Sequence, residues 1–180
     1  MAVDETAIVT WANMVTVGRV LASPFLFAMI PTDTRGSWAA LAVWILLCSS
    51  DGFDGYLARR HGITRSGAFL DPLADKILVL GAMFTLVSRN VFWLLPVVII
   101  AAREIGISLY RVFYASKGGS MPASKLAKMK TFMQQWAVGF ALAPLTVRDA
   151  TWTFTVCLWI AVGLTLISAG QYAVKAIQRT

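Results

Sequence analysis

A series of long apolar segments constrains this chain more than any other feature. About 20 consecutive apolar residues are needed to span the hydrocarbon core of a bilayer. Hydrophobic residues make up 58% of the 180 residues and charged residues only 14%, which excludes an ordinary soluble domain. We therefore predict an all-α, polytopic membrane protein with one domain over residues 1–180. Its six predicted transmembrane helices cover residues 14–31, 37–59, 68–88, 91–115, 125–146 and 152–174.

The segment before the first predicted span is not continuously apolar. Residues 2–13 are weakly amphipathic, which predicts a short N-terminal interfacial helix. Asp4 and Glu5 lie where a cleavable signal peptide would have a basic region, so no such signal is expected.

The basic residues are distributed unevenly over this predicted topology. Cytoplasmic loops carry an excess of lysine and arginine, so we expect both termini and the connection after the second span to face the cytoplasm, in the cell (inner) membrane. The net charge of +7 does not indicate a nucleic acid partner, because the charges lie among membrane spans and no binding module is visible. The predicted cytoplasmic side receives Arg59, Arg60, Arg65, Arg111, Lys117, Lys125, Lys128, Lys130, Lys175 and Arg179, and the opposite side receives Arg35, Arg89 and Arg148.

Four aspartates lie at the junction of the second and third spans. Asp51 and Asp54 are three residues apart, and Asp71 and Asp75 are four apart, so each pair falls on one face of its helix. A short turn between the helices would make them antiparallel neighbours and bring the four carboxylates together. Because the chain has a single histidine and no cysteine here, the cluster suits one or two Mg²⁺ or Mn²⁺ ions and argues against zinc.

Small residues and a fixed cation accompany the aspartates. Gly55 and Ala58 lie on or beside the face of the first aspartate pair, where a small side chain lets a ligand approach the backbone. Arg59 is placed to bind a phosphate bidentately, and Gly67 stands one turn before Asp71. A divalent cluster, a cation and an accessible backbone together predict a diphosphate site.

This stretch resembles the signature of the CDP-alcohol phosphotransferase family. The signature reads Asp, two residues, Asp-Gly, two residues, Ala-Arg, a short gap, then Gly, three residues, Asp, three residues, Asp. Eight specified residues at set spacing make the match specific. The matching residues are Asp51, Asp54, Gly55, Ala58, Arg59, Gly67, Asp71 and Asp75.

The resemblance implies roles for these residues in transfer from a CDP-diacylglycerol donor. Asp51, Asp54 and Asp71 are implied to be the chief metal ligands. Asp75 is implied to take the proton of the acceptor hydroxyl while also touching metal. Thr64 lies in the connecting turn, where a threonine is structural or, by resemblance, contacts CDP. Family members are usually dimers, so a homodimer in membrane lipid is expected.

A polar face at the start of the first span can be interpreted in two ways. Asn13, Thr16 and Arg19 share one side of the predicted helix. They either cap and snorkel at the interface or form a polar wall of the cytoplasmic pocket. The resemblance implies that Asn13 and Thr16 contact CDP-diacylglycerol.

Charged residues in the fourth and fifth spans predict a second site. Arg103 and Glu104 lie well within an apolar run and should face the bundle interior, in a structural salt bridge or in a binding pocket. Converging cations favour a phosphorylated acceptor over an uncharged alcohol, although Lys125 also fits simple anchoring at the membrane edge. The predicted cationic pocket consists of Arg103, Arg111, Lys125, Lys128 and Lys130.

The stretches AREIGISLYR and KLAKMKT look like the phosphatidylglycerophosphate synthase branch of the family. That resemblance implies glycerol 3-phosphate as the acceptor, with Arg103, Lys128 and Lys130 as ligands of its phosphate. Ala127 stands where this branch is expected to have glycine. A cardiolipin synthase and a phosphatidylinositol-phosphate synthase remain alternatives, since both present a phosphate to the site. A cation transporter would explain the aspartates but not Gly55, Gly67 or the cationic pocket.

Overall fold

The computed structural model describes the backbone of residues 11–61, 65–116 and 125–177, and the side chains of residues 14–50, 73–110, 112–113 and 128–171. Within these ranges the chain forms seven α-helices and no strand. The helices are α1 (Trp11–Met29), α2 (Trp38–His61), α3 (Arg65–Ser88), α4 (Leu94–Ser116), α5 (Lys125–Leu142), α6 (Pro144–Asp149) and α7 (Thr151–Ile177).

Each predicted span coincides with one long helix, so the all-α prediction is confirmed for the described residues. The fifth is shorter than expected, because Pro144 cannot continue a helix and instead starts one. α5 therefore ends at Leu142, and the short α6 follows it. The predicted N-terminal interfacial helix lies mostly in residues 1–10, outside the described part, and its end at Trp11 to Asn13 belongs to α1.

The helices pack around one apolar core. α1 contacts both α2 and α3, α4 contacts α3 and α7, and α5 packs against α7. Consecutive long helices are joined by short connections, so they alternate in direction. The C-termini of α2, α4 and α7 and the N-termini of α1, α3 and α5 therefore lie at one end, the motif end. The largest fully buried apolar side chains include Leu26, Leu78, Met83, Leu86, Ile100 and Leu142.

The outer surface of the bundle is also apolar. Phe25 on α1 and Leu46 on α2 are 73% and 69% exposed, and Trp93, just before α4, is 75% exposed, whereas soluble monomers rarely expose large contiguous apolar patches. Among the described residues, one helix, Thr151–Gln171, is long and apolar enough to cross a membrane, and Met14–Met29 and Trp38–Ser50 are shorter apolar helices. The six-span topology stays a prediction.

A glycine turn fixes the loop between α1 and α2 against the α5–α6 junction. Gly36 has a φ of +70°, and a Cβ atom there would lie 2.7 Å from the backbone oxygen of Leu142 and 2.9 Å from the nitrogen of Pro144. The backbone N–H of Ser37 donates to that same Leu142 oxygen at 2.8 Å. The close approach requires a residue without a side chain.

We expect Gly36→Ala to lower the free energy of unfolding by about 1–3 kcal/mol, since alanine is strained at positive φ. Gly163→Ala is the matched control, because a Cβ atom there meets nothing within 4 Å and alanine favours the helix. Thermal unfolding in detergent micelles measures both. Equal midpoints for the two variants would contradict this account of the turn.

Candidate functional site

The helices place the two aspartate pairs at matching distances from the motif end. Asp51 stands ten residues before the end of α2, and Asp75 stands ten residues after the start of α3. At 1.5 Å per residue, both lie about 15 Å along their helices. His61 and Arg65 are four residues apart, so their Cα atoms are at most about 14 Å apart. The pairs therefore lie at similar depths, although the side chains of Asp51, Asp54 and Asp71 are outside the described residues.

The polar face of α1 is turned into the bundle beside the first aspartate pair. Thr16, Arg19 and Ser23 are almost completely buried. The Arg19 Nε donates to the Ser50 Oγ at 3.3 Å, and Ser50 immediately precedes Asp51. Burial of this face favours the polar wall over snorkelling at the interface, where the side-chain ends would be exposed.

A buried ionic network joins α4, α5 and α7. The Glu104 Oε1 accepts from the Arg103 Nη1 at 3.3 Å and also pairs with the Lys130 Nζ. The Arg103 Nη2 donates to the Ser168 Oγ at 2.5 Å. Glu104 is 6% exposed and Lys130 is 3% exposed, so both charges are held inside the protein, where pairing is required.

The network connects to the aspartate helix α3 through a second chain of hydrogen bonds. The Lys76 Nζ donates to the Ser108 Oγ, which in turn donates to the backbone oxygen of Glu104 at 2.6 Å. The Asp75 carboxylate is half-buried and lies within electrostatic range of Lys130. The last aspartate of the motif thus lies within electrostatic range of a buried cation of α5.

The structure brings some of the predicted cations together and separates others. Arg103 and Lys130 meet at Glu104, so the salt-bridge alternative describes the contacts in this structure. Lys128 is exposed and points away from Lys130, because residues two apart lie on opposite sides of a helix. The remaining predicted contacts stay predictions, because the structure does not describe their side chains. Thr64 lies wholly outside the described residues. These contacts are Asn13, Gly55, Arg59, Thr64, Gly67, Arg111 and Lys125.

Several residues of this network were not predicted from the sequence. Ser168 binds Arg103, and Lys76 and Ser108 link α3 to α4. Thr165 and Gln134 are also buried. One signal was available in the sequence. Thr165 and Ser168 are three residues apart on one face of the apolar α7, a spacing that indicates an inward-facing polar stripe.

An apolar groove runs along α2 and α5, starting close to the aspartates. Its volume is about 560 Å³, and Cys48 and Ser49, just before Asp51, form its end nearest the motif. Gly139 faces Trp44, whose indole N–H donates to the Gln135 backbone oxygen at 3.2 Å. Such a groove suits a flexible hydrocarbon chain.

The four aspartates predicted as metal ligands offer oxygen donors alone, and the metal site stays a prediction. Oxygen ligands suit Mg²⁺ and Mn²⁺, and neither free cysteine, Cys48 or Cys157, is part of the predicted ligand set. Among the described side chains, no group of three potential ligands occurs. Asp75 is the one member of the predicted cluster with a described side chain.

Comparison with known proteins gives a consistent match. A sequence model of the CDP-alcohol phosphatidyltransferase family matches residues 9–167. A CDP-diacylglycerol–glycerol-3-phosphate 3-phosphatidyltransferase of Pseudomonas fluorescens is 38% identical over 172 residues, covering 89% of this chain and 86% of the relative. The same-named protein of Rickettsia bellii is 33% identical over 177 residues, covering 96% of both chains. A probable phosphatidylglycerophosphate synthase of Mycobacterium tuberculosis is 34% identical over 173 residues, covering 93% of this chain and 81% of the relative.

Proposed function

We propose, from the premise that this chain belongs to the CDP-alcohol phosphatidyltransferase family, that it transfers the phosphatidyl group of CDP-diacylglycerol to glycerol 3-phosphate. The products are phosphatidylglycerophosphate and CMP. The names of the similar proteins from Pseudomonas fluorescens and Rickettsia bellii support this acceptor. The observation that carries the proposal is the convergence of Arg103 and Lys130 on Glu104, with Asp75 within electrostatic range of Lys130.

The proposed reaction is a displacement at the β-phosphorus of the donor. The acceptor's hydroxyl oxygen forms a bond to phosphorus, the bond to the CMP oxygen breaks, and Asp75 takes the hydroxyl proton. A carboxylate is a weak base in water, but here it needs only to be ionised and positioned. Arg59 would contact the donor phosphates and stabilise the charge that develops on CMP.

The acceptor is selected by charge. A phosphate dianion gains from the cations of α4 and α5, whereas an uncharged alcohol head group would leave them without an external partner. Because Arg103 and Lys130 are within reach of α3, an acceptor whose phosphate binds there would present its hydroxyl towards Asp75.

The donor's acyl chains have a suitable place in the groove along α2 and α5. The groove starts beside the residues that precede Asp51, so a lipid whose diphosphate lies at the aspartates can extend hydrocarbon into it. The exposed apolar surface supports a position in the membrane. Six spans, a cytoplasmic motif end and a homodimer are part of the proposal.

The predicted metal centre belongs to the proposal as well. Asp51, Asp54, Asp71 and Asp75 would hold one or two Mg²⁺ or Mn²⁺ ions. When bound, a divalent ion neutralises charge on the diphosphate. The carboxylate-only donor set supports this choice of metal.

Removal of divalent ions is expected to abolish CMP release. Purified protein treated with excess chelator should lose at least about 99% of its activity, since metal and phosphate-binding groups stabilise the same developing charge. Addition of Mg²⁺ or Mn²⁺ after removal of the chelator should restore it. Full activity of the metal-free protein would contradict the proposed dependence on a divalent metal. It would not affect the assignment of glycerol 3-phosphate as the acceptor, which is tested separately.

The proposed function is tested by offering different acceptors to the purified protein. The protein in vesicles with CDP-diacylglycerol and Mg²⁺ receives glycerol 3-phosphate, phosphatidylglycerol or inositol phosphate, and CMP release is measured. Release with glycerol 3-phosphate alone supports the proposal. Release with phosphatidylglycerol or inositol phosphate instead would identify the alternative enzymes, and cation flux without CMP release would identify a transporter.

A further inference from the structure

Glu104 occupies the position that an acceptor phosphate would need. One carboxylate oxygen, Oε1, contacts both the Arg103 and the Lys130 cations. All three side chains are at most 8% exposed. A phosphate that binds these cations must therefore either share them with Glu104 or take its place, and two anions competing for two buried cations repel each other.

Two buried donors lie one turn away and have no acceptor. Among the described residues, the Gln134 Nε2 and the Thr165 Oγ1 have no hydrogen-bond partner, although these residues are only 3% and 0% exposed. Gln134 follows Lys130 by four residues on α5, and Thr165 precedes Ser168 by three on α7. Residues at these spacings are neighbours on a helix surface, so both donors border the ionic network.

Both donors lie on the same side of the network. α5 runs away from the motif end and α7 runs towards it, so Gln134 and Thr165 are each one turn farther from the motif end than Lys130 and Ser168. Buried donors without acceptors are rare and costly in native proteins. A carboxylate that turned away from the motif end would satisfy them.

We propose that Glu104 is an exchangeable internal anion of the acceptor site. In the free protein it neutralises Arg103 and Lys130 and holds them in place. When the acceptor's phosphate binds these two cations, the Glu104 carboxylate turns to Gln134 and Thr165. This inference rests on the proposed function, and Glu104 acts in it as a positioning residue.

An exchangeable Glu104 would keep the two buried cations neutralised both with and without bound phosphate. Arg103 and Lys130 without Glu104 would be two like charges in a buried site, which is costly. A fixed counter-ion would remove that cost but would also weaken phosphate binding. An anion with two alternative sets of partners keeps the cluster neutralised in both states.

The first test removes the second set of partners. In a Gln134→Met, Thr165→Val double variant, near-isosteric apolar groups replace two donors that lack acceptors, so the thermal midpoint should not fall. The KM for glycerol 3-phosphate should rise about tenfold, because Glu104 loses the partners that receive it. The KM for CDP-diacylglycerol should stay the same. Thr155→Val is the control on α7, since Thr155 is exposed and bonds only within its own helix.

The second test removes the internal anion, and its expected effect has the opposite sign. Glu104→Gln keeps the shape of the side chain and loses its charge. Its KM for glycerol 3-phosphate should fall about tenfold. Inorganic phosphate should raise the thermal midpoint of this variant more than that of the wild type at equal concentration.

These results distinguish the inference from the proposed function. The thermal shift by inorganic phosphate needs no turnover, so it tests the exchange even if glycerol 3-phosphate is not the acceptor. An unchanged KM in the double variant, or equal phosphate shifts for Glu104→Gln and the wild type, would overturn the exchange. Wild-type protein that releases no CMP with glycerol 3-phosphate would overturn the proposed function instead.

Discussion

Replacing Asp75 with asparagine is expected to lower turnover by about 10³-fold or more, the range that a general base contributes. Asparagine has nearly the same shape but cannot accept the proton of the acceptor hydroxyl. Asp75 is half-buried on α3 between the buried Ala74 and Leu78 and lies within electrostatic range of Lys130. The variant should fold, and the rate of CMP release at saturating glycerol 3-phosphate measures the loss.

Asp149→Asn is the matched control for this prediction. It removes the same charge from an exposed residue on α6, at the end of the bundle opposite the motif end. Its turnover should equal that of the wild type. Substantial turnover of Asp75→Asn would exclude Asp75 as the base and move that role to another group.

Replacing Lys130 with methionine is expected to raise the KM for glycerol 3-phosphate by about 10- to 100-fold. A hydrogen bond to a charged group contributes about 1.5–3 kcal/mol, and methionine keeps the length of the side chain without its charge. The KM for CDP-diacylglycerol should change little, because the donor's diphosphate is expected at the aspartates. Initial rates of CMP release, with one substrate varied at a time, separate the two constants.

Arg148→Met is the matched control for the lysine variant. It removes one positive charge from an exposed side chain on α6, so a general loss of net charge would affect both variants equally. An increase in the KM for CDP-diacylglycerol comparable to that for glycerol 3-phosphate would contradict the assignment of Lys130 to the acceptor. The stability of Lys130→Met should fall, since Glu104 then retains Arg103 as its remaining ionic partner.

The helices of this fold were predictable because their apolar segments are long and are separated by short polar stretches. Helix boundaries at the ends of such segments depend on single residues. Pro144 shortened the fifth helix and started α6, an effect that hydrophobicity alone does not show. The contact of Gly36 with the α5–α6 junction joins residues more than 100 positions apart, so no local pattern indicated it.

Some residues of the site could be predicted from the sequence and others could not. Buried charges must find partners, so Arg103 and Glu104 were expected to face inward. The convergence of Arg103 and Lys130 on one Glu104 oxygen depends on how α4 and α5 each pack against α3 and α7. Ser168, Gln134 and Thr165 were not predicted. Thr165 and Ser168 share one face of α7, which was a usable signal, but a single uncharged polar residue such as Gln134 carries little positional signal by itself.

Arg19 shows how burial separates two interpretations that a sequence leaves open. An arginine near a helix start fits snorkelling at a membrane interface or a place in a polar pocket. In the structure Arg19 is 2% exposed and donates to Ser50, next to Asp51. The start of α1 therefore contributes a buried polar face that contacts the residue just before Asp51.

The most direct measurement of the central claim follows one oxygen atom through the reaction. Wild-type protein in vesicles receives CDP-diacylglycerol and glycerol 3-phosphate labelled with ¹⁸O in its primary hydroxyl, and the lipid and CMP are analysed by mass spectrometry. Attack of that hydroxyl on the β-phosphorus predicts phosphatidylglycerophosphate that retains the label and CMP that contains none. Labelled CMP, or the absence of a labelled lipid, would contradict the account.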